Sequence, residues 1–218
     1  MKILIGTPIH VNKDYSTERW LKSVSELRLK HPADFLMVDN SFDASYVKKV
    51  KGYCAKFGIT DYKIKHISAN QDPIVDGVVV DKKEARIEIA QGIIKKAVLS
   101  KNYDAWFNWE SDVILPTNAL DEMIRIMQTG NFMIVAHNCL QRGIPNSTSS
   151  DFEITLISRK CSEKYGSLLA FVSGPDYLGI PKSQRDGEES FFKYRVAMSG
   201  GNSVEVYNII KPIYHLDK

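Results

Sequence analysis

Along the chain, short apolar runs alternate with longer segments in which apolar residues return at helical spacing. This is the pattern of a mostly parallel sheet covered by helices. The first run, residues 2–6, predicts a strand that Thr7-Pro8 should stop, because proline cannot donate to a ladder. A helix is predicted over 16–30, with Trp20, Leu21, Val24 and Leu27 on one face. Strands at 34–38 and 62–66 flank a helix at 43–57. A more strongly periodic helix, 81–99, places Ala90, Ile93, Ile94, Ala97 and Val98 on one side, and a strand follows at 105–109. Next come a helix at 117–127, with Leu120, Met123, Ile124 and Met127 as its buried stripe and Thr117 as its cap, and a strand at 132–136. The second half is less regular. It offers a polar stretch from 137 to 150, a strand at 152–157, and chain punctuated by Gly174-Pro175 and Gly179-Ile180-Pro181. A helix at 188–198 and a last strand at 204–209 follow. The pattern reads as α/β. In open α/β sheets ligands sit beyond the carboxyl ends of the strands, so Thr7-Pro8, Asp39 and residues 110–112 should converge on one crevice.

Composition narrows the class. With 44% hydrophobic and 25% charged residues among 218, the chain has the proportions of a soluble globular protein, read as one domain over 1–218. A core of that size needs neither disulfides nor a structural metal. Basic residues number 29 and acidic residues 26, a balance of +3 that is too small and too dispersed for a nucleic-acid or membrane footprint. The densest basic run, Lys48, Lys49 and Lys51, reads as a solvated helix face. Cys54, Cys139 and Cys161 lie far apart without C-x-x-C spacing, which points to a reduced, intracellular setting. No apolar run approaches the ~18 residues of a membrane span. The opening MKILIGTPIH reads as a strand rather than a signal peptide, so a soluble, cytoplasmic chain is expected.

The sharpest chemistry lies in AWFNWESDVILP, residues 105–116, where an apolar strand runs straight into Glu110-Ser111-Asp112. In extended chain, carboxylates at i and i+2 point the same way, so Glu110 and Asp112 can share one cation at a strand end. The plain alternative is a pair of exposed loop acids.

This segment resembles the D-x-D motif of glycosyltransferases with the GT-A fold, the family 2-like nucleotide-sugar transferases. Four further places line up in the same order. Ile3 to Pro8 is similar to the opening strand and its proline, Met37-Val38-Asp39-Asn40-Ser41 to "vvDngS", and Glu84-Ala85-Arg86 to the "aR" before the D-x-D strand. Glu188-Glu189 with Arg195 and Gly200 resembles "ED…R….G". The resemblance implies a GT-A type, Rossmann-like central sheet flanked by helices. Residues 1–116 would form the nucleotide-sugar-binding half and 117–218 the acceptor-binding half. It further implies a UDP- or GDP-sugar donor, Mn²⁺ or Mg²⁺, a glycan or glycoprotein acceptor, and inverting transfer.

Roles carry over residue by residue. The negative charge that grows on a departing nucleoside diphosphate calls for a divalent cation at the strand end. Asp112 is its first implied ligand. Glu110, where the family more often has Asp, would sit near the ribose or reach the metal through water, and His215 is similar to a histidine that supplies another ligand. Asp39 would accept a hydrogen bond from the base, Arg86 would pair with the diphosphate, and Thr7, Pro8 and Ser111 would line the donor. A helix-surface arginine and an Asx turn at Asp39 are the bland alternatives. An acceptor hydroxyl needs a carboxylate to take its proton, and Glu189 aligns with that base, with Glu188 and Asp186 close by as alternatives. Trp109, Tyr177 and Phe191 are aromatic enough to face a sugar, though each also reads as core. The polar stretch 137–150 is expected as an acceptor-side flap.

Rival readings fit less well. A dinucleotide-binding enzyme needs G-x-G-x-x-G after the first strand, where this chain has Gly6-Thr7-Pro8. A nucleotidylyltransferase would carry a glycine-rich signature with Arg and Lys there. The alternative from another class is a non-catalytic nucleotide- or sugar-binding domain of a larger glycosylation system.

Overall fold

The computed structural model describes residues 1–67, 74–75, 78–79, 82–137, 153–165, 192–193 and 196–216. The chain opens with β1 (Ile3–Ile9), a 3₁₀ turn (Val11–Lys13) and α1 (Asp14–Lys30). It continues through β2 (Asp34–Asp39), α2 (Ser45–Lys56), β3 (Lys63–His66) and a small antiparallel ladder of β4 (Ile74–Val75) with β5 (Val78–Val79). Then follow α3 (Lys82–Ser100), β6 (Ala105–Trp109), β7 (Val113–Ile114), α4 (Ala119–Thr129), β8 (Ile134–His137) and β9 (Ile154–Ser158). The last elements are α5 (Arg159–Tyr165), β10 (Ser203–Val206) and β11 (Tyr214–His215).

Among the described residues, seven strands form one sheet in the order β10-β8-β9-β6-β1-β2-β3. All run the same way except β9, which lies antiparallel between β6 and β8. Each face is sealed by its own apolar layer. On one, Trp20, Leu21, Val24 and Leu27 of α1 meet Phe35, Met37, Phe107 and Trp109. There the Trp20 ring stands edge-on to Phe35 and to Trp109, with centroids 5.7 and 6.2 Å apart. On the other face, Ala90, Ile94 and Val98 of α3 pack with Leu4, Leu36, Trp106, Phe192 and Val196. The helical stripes therefore follow the apolar spacing of the sequence, with Ile93, Ala97 and Ile124 only partly buried. At Gly6, α3 packs tightly against the sheet. A Cβ there would lie 2.3 Å from Ile94 Cγ2 and 2.8 Å from Trp106 Nε1, and the indole N–H donates to the Gly6 carbonyl at 2.9 Å.

Several expectations are corrected. Thr7-Pro8 does not stop the first strand, which runs on to Ile9. Its pairing with β6 ends at Gly6, so at Pro8 the strand has a ladder on the β2 side alone, where a missing donor is tolerated. Thr117 does not cap α4; the N-cap is Asn118, without a side-chain bond. The strand expected at 204–209 is β10 and ends at Val206, and Asn208 adopts φ 61°, a turn conformation that asparagine tolerates. The strands β7 and β11 and the helix α5 went unread in the sequence because each is too short for a period. Of the helix expected at 188–198, residues 192–193 and 196–198 are helical and the rest lies outside the described residues, as do 138–150 and the Gly-Pro punctuation near 174–181. Among the described residues, no helix is long and apolar enough to cross a membrane.

Candidate functional site

The carboxyl ends of β1, β2, β3 and β6 bring together the residues that carry charge. The turn after β1 delivers Lys13 to the acids after β6. Its ammonium lies 3.0 Å from Glu110 Oε2 and 3.0 Å from Asp112 Oδ1. The Asp112 side chain is wholly buried, and its other oxygen accepts the Tyr15 hydroxyl at 3.0 Å. Backbone contacts fix this corner: the Lys13 carbonyl accepts Ser16 Oγ at 2.7 Å and Thr17 Oγ1 at 2.9 Å, and Ser16 Oγ also reaches the Ser111 carbonyl at 2.9 Å. The start of α1 is thereby tied to the acid-x-acid turn.

Two residues distant in sequence complete the cluster. The reversed strand β9 begins beside the end of β6, and the Glu110 N–H donates to the Glu153 carbonyl at 2.9 Å. The two-residue ladder of β7 with β11 pairs Val113 with His215, and the Leu216 N–H donates to the Asp112 carbonyl. His215 Nε2 then stands 3.6 Å from Asp112 Oδ2, and Nδ1 3.5 Å from Glu153 Oε1. One ligand atom each from Glu110, Glu153 and His215 falls within 4.8 Å of the others. Two carboxylates and an imidazole, with Asp112 adjoining, form a donor set that suits Mn²⁺ and, through its oxygens, Mg²⁺. The expected partners Glu110, Asp112 and His215 are thus brought together. Glu153 was missed, since nothing in DFEITLIS foretells that its strand runs backwards next to β6.

A second group forms at the end of β2. Asp39 is wholly buried, and both carboxylate oxygens are engaged: Oδ1 accepts the Ser41 N–H at 3.0 Å, and Oδ2 pairs with His66 Nδ1 at 2.7 Å. His66, at the end of β3 and partly exposed, is the group of this pair that reaches solvent. Arg86 is buried from the first turns of α3 and donates to the carbonyls of Asn40, Ser41 and Ile67 at 2.7, 2.5 and 3.0 Å. It also lies over the exposed Phe42 ring at 5.5 Å. In this arrangement Arg86 fastens the chain ends after β2 and β3. Nearby, hydrogen bonds from Ser45 hold the Asp43 carboxyl below the usual carboxylate range.

Other expected residues turn inward. Thr7 is buried and donates to the Trp109 carbonyl at 2.8 Å, which ties β1 to β6. Pro8 is half-buried beside it. Ser111 is buried with its hydroxyl unpartnered among the described residues, so it faces the body of the protein. Trp109 is core: its indole N–H donates to the Val113 carbonyl at 2.7 Å. Asp186, Glu188, Glu189, Tyr177, Phe191 and Arg195 lie outside the described residues.

Solved structures with the same architecture identify the fold as GT-A type. The mannosyltransferase PcManGT from Pyrobaculum calidifontis, solved in complex with GDP-Man and Mn²⁺, superposes with a TM-score of 0.63 at 13% identity, over 95% of this chain and 55% of that one. TarS of S. aureus superposes with a TM-score of 0.61 at 12% identity, over 95% of this chain and 35% of that one. Its 1–349 fragment in complex with UDP gives 0.57 at 13% identity, over 88% and 54%. The chain thus spans between a third and just over half of the lengths of these proteins. No protein-family model matches the sequence, and no curated protein matches it.

Proposed function

We propose that the chain is a metal-dependent glycosyltransferase that moves a sugar from a UDP- or GDP-sugar to a glycan or glycoprotein acceptor with inversion. The observation that carries this reading is the meeting of Glu110, Asp112, Glu153 and His215 at the carboxyl edge of a GT-A type sheet. Solved neighbours holding GDP-Man with Mn²⁺, or UDP, support the same class of donor.

Glu110, Glu153 and His215, with Asp112 beside them, would hold Mn²⁺ or Mg²⁺. A bound divalent cation supplies Lewis-acid stabilisation of the charge that develops on the departing diphosphate. Asp39 is closed off by its own partners, so in this reading it orients His66 rather than touching the base. With Nδ1–H donated to Asp39, His66 Nε2 is an acceptor suited to the imide N–H of uracil or the N1–H of guanine. Arg86 shapes the crevice by holding the 40–41 turn. Glu189, with Glu188 and Asp186 as neighbours, is proposed to take the acceptor proton.

Thermal unfolding with UDP, GDP and CDP, with and without Mn²⁺, tests the proposal. A ligand at ~100 times its Kd adds about 2.7 kcal/mol, which at this chain length is a rise of roughly 5 to 10 °C. A rise with UDP or GDP that needs Mn²⁺ is expected. No rise with any nucleotide in either condition refutes the reading.

A further inference from the structure

Two of the acids gathered at this site already have a cation on them. Lys13 Nζ lies 3.0 Å from an oxygen of each acid, between Glu110 and the wholly buried Asp112. A divalent ion ligated by those same oxygens sits about 2.0–2.6 Å from them. The ammonium and the metal therefore cannot both occupy the space between the two carboxylates, and like charges would repel strongly at that separation.

Lys13 is also built to leave. Its backbone is pinned: its N–H donates to the His10 carbonyl at 2.9 Å, and its own carbonyl accepts Ser16 and Thr17. The side chain, by contrast, is about a third exposed (31%) and hangs on four rotatable bonds, so the ammonium can swing without disturbing the start of α1. Because its backbone is held, a displaced ammonium stays tethered within reach of this crevice. A nucleoside diphosphate brings the negative charge that would receive it.

We propose that Lys13 is a resident counter-ion that keeps Glu110 and Asp112 paired in the empty site and makes metal binding wait for the donor. The divalent cation displaces the ammonium, and the diphosphate takes it up. This rests on the donor reading above, and it predicts mutual enhancement: metal and nucleoside diphosphate each raise the other's affinity by the same factor.

The test is titration of Mn²⁺ followed by the spin-resonance signal of the free ion, with and without UDP or GDP, on the full chain and on Lys13→Met and Lys13→Arg. For the unaltered chain, Mn²⁺ alone should bind weakly, and at least ten times more tightly with the nucleotide. Lys13→Met should bind Mn²⁺ alone at least ten times more tightly than the unaltered chain and lose most of the enhancement by nucleotide. Lys13→Arg, which keeps the charge, should stay weak, and melting curves establish that each variant is folded. If the unaltered chain shows metal-dependent nucleotide binding but Lys13→Met leaves the affinity for Mn²⁺ alone unchanged, the counter-ion role is overturned while the donor reading stands. Equal nucleotide binding with Mn²⁺ and with EDTA overturns displacement, because Lys13 would then replace the metal outright. No binding of either ligand to any of the three proteins removes the donor reading, and this proposal with it.

Discussion

The amide of Glu110 donates to the carbonyl of Glu153 at 2.9 Å, so the residue just after β6 and the residue just before the opposed β9 set two carboxylates side by side. The contact makes Glu153 a member of the acid cluster although it lies well away from the acid-x-acid turn in sequence. Glu153→Gln should weaken Mn²⁺-dependent binding of UDP or GDP by at least about 10- to 100-fold, the loss already typical when a residue that only supports a metal ligand is removed. Calorimetric titration checks this, and an unchanged Kd would exclude Glu153 from the metal set.

His66 and Asp39 make a second, separable prediction. If His66 Nε2 reads the imide N–H of the base, His66→Ala removes one hydrogen bond, a loss of about 3- to 10-fold in affinity for the preferred nucleotide. The same variant should lose most of its preference over CDP, which has no imide N–H. Competition binding with the two nucleotides decides it; a variant that still discriminates as before places base recognition elsewhere.

Gly6 is a packing constraint rather than a flexible joint. Its φ is unremarkable, but a methyl group there would collide with Ile94 and Trp106. Gly6→Ala should cost about 1–3 kcal/mol through overpacking, which for a chain of this length lowers the melting temperature by roughly 2 to 12 °C. An unchanged melting curve would show that α3 can retreat from the sheet at no cost.

Burial pushes the Cys54 thiol up to about 11 from its ordinary 9.0, against the pull of the Arg28 charge. Cys54 should therefore resist iodoacetamide in the native protein at pH 8 and react once the chain is unfolded, as peptide mapping would show. The same shift has a pH signature. Between about 9 and 11 the unfolded chain releases this proton while the folded one keeps it, so stability falls as pH rises through that window. Tyr46, also raised by burial, adds to the fall above its ordinary 10.0. Denaturant melts at pH 8 and pH 10.5 should show the lower midpoint at the higher pH.

Residues with many local neighbours of matching period were legible in the sequence. The faces of α1 and α3, and the strand leading into Glu110, announce themselves through apolar spacing, and the crevice follows from the rule that parallel strands expose their carboxyl ends. Residues whose position depends on pairing were not. Glu153 needs β9 to run backwards. His215 is named by the family resemblance alone, and what sets it beside Asp112 is a ladder only two residues long. His66 needs the register that sets it opposite Asp39. Lys13 looked like any lysine before a helix, since its meaning comes from acids that reach it across the end of β1. The resemblance implies that Arg86 pairs with the diphosphate; in the structure its guanidinium donates to the carbonyls of Asn40, Ser41 and Ile67.

The reversal of β9 also bears on how such a chain could diversify. Because β8 and β9 run in opposite directions with Ala136 opposite Thr155, the chain leaves β8 and re-enters β9 at the same rim of the sheet. The described residues on either side, His137 and Glu153, thus lie at that same rim. A segment inserted between two adjacent anchors can lengthen or change composition without shifting the register of any strand, and doubling its length costs only about 0.6 kcal/mol in closure entropy. Glu153 is one of those anchors. A change of length between His137 and Glu153 therefore asks nothing of the strand pairing that sets Glu153 beside Glu110.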